Sequence, residues 1–396
     1  MSPAEKQMSW RNLRTASPRE VSAAVASSRR EFLRSAAGVA AGSLFSFAPR
    51  SGHAAASVAQ PKAVVVTFGG GARDEETFAP EGQANIPNLV KTLFPQSTFY
   101  AQVVNKGILG HYVATASLAT GVYETFNNFA AVSPHNPTVF EYFRKDLHRR
   151  PSDAWVVAPS NGFNRIGESD HRSYGAGLGA GVILPKHLLA SSMTAGSPGY
   201  DHLLRDSYEA PFYTPELAGN EVEMQKLKEL LKLSVDDFTA SARSLASPDE
   251  LSVYIARRLM REVAPSLLWI TLHDIDIAHS GTYSMYLEGI RRSDRLCAEI
   301  WKAIESEPEY AGKTTMYILP DFGRDSDSDP GGNGFQHHRT GDPLSRTTWM
   351  MVLGPGIRKG VVIDRPVESI DLVPTLGVRL GFSPRFAQGK PLEEIA

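Results

Sequence analysis

The apolar positions of this chain fall in short continuous runs rather than in alternation. Residues 62–68, KAVVVTF, are largely β-branched and are bounded by Pro61 and by Gly69-Gly70-Gly71. Such a run predicts a strand buried on both faces, as in a parallel sheet covered by helices. Comparable runs occur at 97–104 (STFYAQVV), 154–160 (AWVVAPS), 266–272 (SLLWITL), 314–320 (TTMYILP) and 348–354 (TWMMVLG). Helix signatures separate them. Asn85–Phe94 carries Pro87 near its first turn, Gly107–Gly121 is rich in small residues, and Asn136-Pro137 opens a helix to about Arg149. Ser247-Pro248-Asp249-Glu250 is a capping box for a helix to about Val263; helices are also expected from Thr282 to about Glu305 and over Val367–Gly381, the last with an internal Pro. The order β, α, β, α, β predicts a doubly wound α/β fold: a mostly parallel sheet with helices on both faces. Residues 161–246 are less regular, rich in turn formers, with one amphipathic helix over Glu221–Leu233. They read as a cap inserted over the active edge, with His171 and His187 in surface or structural roles.

Composition narrows the class. With 396 residues, 42% of them hydrophobic and a formal net charge of −2, the chain has ample material for a core and none of the basic excess of a nucleic-acid binder. The single cysteine, Cys297, excludes an internal disulfide framework and a cysteine-rich zinc site; its helical context predicts a buried, inert thiol. The amino end reads differently from the rest. Arg29-Arg30 within SRREFLR, a short Ala/Gly-rich apolar run, and Ala54-Ala55-Ala56 have the layout of a twin-arginine signal peptide over residues 1–56. That reading implies the twin-arginine export machinery as a partner and a periplasmic or secreted home, and the run is too short and small-sided for a permanent membrane span.

Candidate chemistry gathers where strands end. The stretch 320–338, PDFGRDSDSDPGGNGFQHH, places Asp321, Arg324 and the pair His337-His338 just beyond an apolar run, where α/β sheets bind ligands. HDIDIAHSG, after the strand at 266–272, holds two Asp and two His within seven residues, His273, Asp274, Asp276 and His279, a density of metal-ligand side chains that capping alone does not explain. His111 lies near the start of its helix, where the dipole favours an anion. The glycines at 69–71 lack the Lys-Ser/Thr of a phosphate loop. Asp325, Asp327 and Asp329 alternate as in a calcium loop, but Gln336 falls where the acidic twelfth position belongs. Arg324 either grips an anion bidentately or pairs with neighbouring carboxylates.

In order along the chain, these features resemble the alkaline phosphatase superfamily, which includes sulfatases and phosphodiesterases. The first strand with its Gly turn, IPNL followed by STFYAQV, SLATGVYE, Asp276 with His279, Asp321, the late His337 or His338, and the closing GPGI and IDLVPTLGVRLG all have counterparts there. The resemblance covers nearly the whole of 57–396. It implies an alkaline phosphatase-like fold, hydrolysis of a small-molecule phosphate or sulfate ester, and a divalent metal, zinc first, with manganese, iron or calcium as alternatives.

The departures from the pattern are specific. Counting back from Thr120 places His111 where the superfamily carries its Ser, Thr or modified Cys nucleophile. Gly70 stands at the first-strand Asp, and Phe322 stands at the His of Asp-His-Gly. The Asp276-to-His279 spacing is one residue short unless Asp274 is the partner. The resemblance thus implies one metal site kept, by Asp276 or Asp274, His279 and His337 or His338, and one degraded, with Asp321 remaining. His111 is left as nucleophile, general acid or base, or an additional ligand.

Overall fold

A computed structural model describes residues 60–130, 132–174, 177–186, 229–232, 245–327 and 333–395. The signal-peptide reading, most of the cap with His187, and Asp329 lie outside these residues.

Among the described residues, nine strands form one sheet. Its centre is β1 (Lys62–Phe68), between β5 (Leu267–Leu272) and β6 (Thr314–Pro320), both parallel to it. Beyond β5 lie β3 (Ala154–Val157) and β4 (Gly181–Ile183); beyond β6 lie β7 (Thr347–Leu353), β2 (Ser97–Val104) and β8 (Val361–Ile363), with β9 (Val367–Glu368) also on β2. β7 runs antiparallel to both of its neighbours. The sheet is otherwise parallel, as the unbroken apolar runs predict.

Alternation along β1 shows why those runs are apolar on every residue. Val64, Val66 and Phe68 enter one core with α3 (Pro248–Glu262) and α4 (Tyr283–Ser306). Ala63 and Val65 enter a second core, on the opposite face, with α1 (His111–Thr120), α2 (Val139–Asp146) and α6 (Leu372–Leu380), while the short α5 (Pro343–Arg346) leads directly into β7. Successive side chains of a strand point to opposite faces, so helices on both faces require both sets to be apolar.

Three boundaries differ from expectation, each for a local reason. The segment 85–94 forms 3-10 and π-type turns, because the buried Asp294 carboxylate takes the backbone N–H groups of Asn88 and Leu89. Helix α2 starts at Val139, capped by Thr138 and Glu141, because the Glu124 carboxylate engages Asn136. At the end of the chain, β9 and a 3-10 turn precede α6, so Pro374 falls in the helix's first turn, where its missing N–H costs nothing.

Register then assembles the site. Phe68 pairs with Leu272 on one side and Pro320 on the other, so the residues that follow, Gly69, His273 and Asp321, emerge side by side at the carboxyl edge. β2 runs in the same direction, and the Asn105 side chain after it donates to the Asp321 carbonyl at 3.2 Å, bringing the approach to α1 to this edge.

Candidate metal centre

The segment Asp274–His279 is a 3-10 helix. With three residues per turn, positions 273, 276 and 279 share a face. Asp276 Oδ1 lies 3.3 Å from His279 Nε2, and Oδ2 lies 3.4 Å from His273 Nε2. Asp274 belongs to another face, where its carboxylate receives Arg292 Nη1 at 2.8 Å, so it stands apart from the cluster. The turn is fixed at its start by the buried Asp249, whose two oxygens accept the backbone N–H groups of His273 (2.7 Å) and Asp274 (2.8 Å).

His111, the first residue of α1, is buried between two carboxylates. Its Nδ1 is 2.7 Å from Asp321 Oδ2 and its Nε2 is 3.1 Å from Asp276 Oδ1. Asp321 is itself completely buried, and its Oδ1 accepts from Gly70 N at 3.2 Å and Phe322 N at 2.9 Å. Asp321 therefore orients His111 from behind: it favours a proton on Nδ1 and turns the Nε2 lone pair toward Asp276. The dipole reading of this helix end is modified, because the Asn128 amide oxygen already accepts from Tyr112 N and Val113 N.

His338 completes the group, with Nε2 2.7 Å from His279 Nε2. His337 directs its backbone to Asp325 and Gly334 and is not among the converging residues. Donor atoms of His111, Asp276, His279 and His338 all lie within 4.8 Å of one another. Three imidazoles and a carboxylate are a donor set for zinc and its neighbours. The separations of 3.1 and 3.3 Å approach the roughly 3.3 Å edge of a tetrahedron with bonds of about 2.0 Å. His111 Nε2, buried and without a hydrogen-bond partner among the described residues, faces the group. The four residues fit a divalent ion.

Electrostatics point the same way. Burial alone would lower the His111 pKa, but Asp276 and Asp321 outweigh it and raise it. Burial opposes ionisation of Asp276, yet His111 and the other imidazoles hold its carboxyl well below the usual range. Burial raises Asp321, against the pull of His111. Burial, with the positive charges of His111 and Arg324, pushes His338 down to about 2. This is a site with a place for positive charge among four donors, and a bound cation would displace protons from it.

Arg324 is almost wholly buried. Its Nη2 donates to Asp276 Oδ1 at 2.7 Å and its Nε to the Gly71 carbonyl at 2.8 Å, so of the two roles open to it the structure places it in the ion pair. Gly70 makes this possible. Its φ is +92°, and a Cβ there would come within 2.8 Å of Arg324 Nη2 and 3.1 Å of Asp276. Phe322, fully buried, stacks on His111 with ring centroids 4.8 Å apart. The acidic run serves the framework: Asp325 binds Arg339 and Ser345, while Asp327 accepts from Arg73 and from Gly334 N.

Sequence reasoning counted His273 in the dense run 273–279 without assigning it as a ligand, and left out Asp249. The first was signalled by the three-residue period His273, Asp276, His279, which is legible only once the turn is known to be 3-10. Asp249 lay hidden inside a capping box that explained it equally well.

No protein-family model and no curated protein sequence matches the chain. Solved structures do. A mutant form of alkaline phosphatase PafA superposes with a TM-score of 0.51 at 11% identity, covering 86% of this chain and 99% of that one. The phosphonate monoester hydrolase SpPMH from Silicibacter pomeroyi superposes with a TM-score of 0.50 at 13% identity, covering 84% of this chain and 76% of that one. At such identities the likeness is one of fold, and the fold is alkaline phosphatase-like.

Proposed function

We propose that the chain is an exported, metal-dependent hydrolase of phosphate or sulfate esters, with its ion held by His111, Asp276, His279 and His338. The observation that carries this reading is the convergence of those four side chains at the carboxyl edge of the sheet. The fold likeness to a phosphatase and a phosphonate monoester hydrolase supports the ester class.

A divalent ion supplies Lewis-acid polarisation of an ester oxygen. The protein's own contribution is positional. Asp321 holds the His111 tautomer, and Asp249 fixes the turn that carries Asp276 and His279. With Nδ1 on Asp321 and Nε2 turned to Asp276, His111 is read as a ligand, not as a nucleophile. His111 stands at the position expected of a nucleophile and is held there between two carboxylates, which favours direct attack by water over a covalent intermediate. His279 and His338, both part-exposed, form the open side through which an ester would enter.

A second reading, a non-catalytic binding or scaffolding protein that keeps one metal, is favoured by the buried Arg324 and Phe322, which close off positions that a two-metal enzyme would use. Elemental analysis of the purified protein, with a screen of aryl phosphate and aryl sulfate, separates the two. Bound transition metal with turnover supports the hydrolase; metal without turnover selects the binding reading; no metal and no turnover sinks the proposal. Export is tested by replacing Arg29 and Arg30 with Lys. Accumulation of uncleaved protein in the cytoplasm is expected, and unimpaired export would overturn that part.

A further inference from the structure

We propose that Arg324 is the second cation of this centre: its guanidinium stands where a side chain from residue 70 would otherwise carry a ligand, so the chain takes one divalent ion rather than two. This rests on the four-residue group being a metal site.

Three observations lead here. The first is space. The Cβ direction of Gly70 runs into Arg324 Nη2 at 2.8 Å and Asp276 Oδ1 at 3.1 Å, so guanidinium and a liganding side chain at 70 exclude each other. The second is donors. While Arg324 is in place its Nη2 and Nε take up Asp276 Oδ1 and the Gly71 carbonyl, Asp321 accepts from Gly70 N, Phe322 N and His111 Nδ1, and Phe322 offers no lone pair, so acceptors for a second ion are released only when Arg324 is removed. Among the described residues, His111, Asp276, His279 and His338 are the one group whose donor atoms converge.

The third is charge. Asp276 and Asp321 are both fully buried and are bridged by a single imidazole, and two buried carboxylates require positive partners. Arg324, with no exposed side-chain surface, supplies one such charge permanently, since a guanidinium does not lose its proton. Its planar fork spans Asp276 Oδ1 and the Gly71 carbonyl together, a two-point hold that an ammonium would not reproduce. Its Nη1 has no hydrogen-bond partner among the described residues, so two contacts fix the group.

The test is a zinc titration of metal-free protein by calorimetry, with elemental analysis of the product, on wild type, Arg324→Ala and Arg324→Lys. Wild type and Arg324→Lys are expected to take one equivalent. Arg324→Ala should take a second, weaker equivalent in the vacated space, and methylguanidinium should displace that second ion while leaving the first. Two equivalents in wild type, both lost in Asp276→Ala, would overturn the inference. So would an Arg324→Ala protein that takes no second ion, or one whose second ion ignores methylguanidinium. Should Arg324→Ala not fold, the counts for wild type and Arg324→Lys decide the matter, two ions in either refuting it. None of these readouts requires turnover. One ion without ester hydrolysis would defeat the hydrolase and leave the role of Arg324 standing, whereas no ion in wild type would defeat both.

Discussion

Replacing Asp321 with Asn separates metal-site chemistry from fold stability. The Asn carbonyl oxygen retains the place of Oδ1, accepting from Gly70 N and Phe322 N, now 3.2 and 2.9 Å away. The amide nitrogen then takes the place of Oδ2, 2.7 Å from His111 Nδ1. An NH2 group donates, so Nδ1 must become the acceptor and the ring proton moves to Nε2, the atom 3.1 Å from Asp276. A protonated Nε2 cannot bind a metal. Groups that fix a ligand's tautomer are typically worth 10–100-fold in metal affinity, or about 1.4–2.8 kcal/mol. The metal-free fold should hardly notice, because the amide keeps all three hydrogen bonds of the carboxylate once the His111 ring proton has moved; a change within about 1 kcal/mol is expected. Zinc affinity is measured by competition with a chromophoric chelator, and stability by urea unfolding of the metal-free protein. Affinity within about threefold of wild type, or an affinity loss matched by an equal loss of stability, would refute the reasoning.

The two adjacent histidines make a sharper pair. His338→Ala should weaken zinc binding by at least tenfold while His337→Ala leaves it within about threefold; the reverse order would show that the loop seats the other imidazole. Glu75 offers a pH test away from the metal. Burial, against Arg73, pushes its carboxyl up to about 7 from 4.5, so the native state keeps a proton that the unfolded chain has released between those values. Stability therefore falls as pH rises through that window, and Glu75→Gln should stabilise the protein at pH 8 by roughly 1–3 kcal/mol while changing little at pH 4. Urea midpoints at the two pH values read this directly, and equal shifts at both would count against it.

How far the molecule was legible depended on the range over which each decision is made. β1, β5 and β6 could be read because a parallel strand covered on both faces must be apolar at every position, a property of six or seven consecutive residues. The convergence of His111, Asp321 and the 273–279 turn could be expected because strand ends share an edge. The choice between Asp274 and Asp276 was closed to sequence. It turns on whether six residues wind with three or 3.6 per turn, and that is settled by Asp249, a carboxylate 24 positions away from the His273 N–H it holds. The choice between His337 and His338 likewise follows from backbone bonds to Asp325 and Gly334. The start of α2 moved because Glu124 claimed Asn136.

Gly70, Phe322 and Arg324 read, one at a time, as a lost ligand, a lost ligand and an added charge. In the structure they depend on one another. Gly70 is the condition for Arg324 reaching Asp276, since any side chain there meets the guanidinium and would have to adopt a left-handed backbone. Arg324 in turn compensates a buried carboxylate that otherwise faces imidazoles beside Asp321. Phe322 closes the space on the far side of His111, stacking on its ring and packing at a tilt against that of His338, and so supports the orientation that Asp321 imposes through Nδ1. Reverting any one of them toward a two-metal pattern would therefore work against the other two. Gly70→Asp alone would collide with Arg324, and Phe322→His alone would place a polar ring in a pocket shared with Leu109 and Ala114. A chain that had merely lost its second ion would owe no such mutual fit to these three positions; their interlocking is what distinguishes a built one-ion centre from a decayed two-ion one.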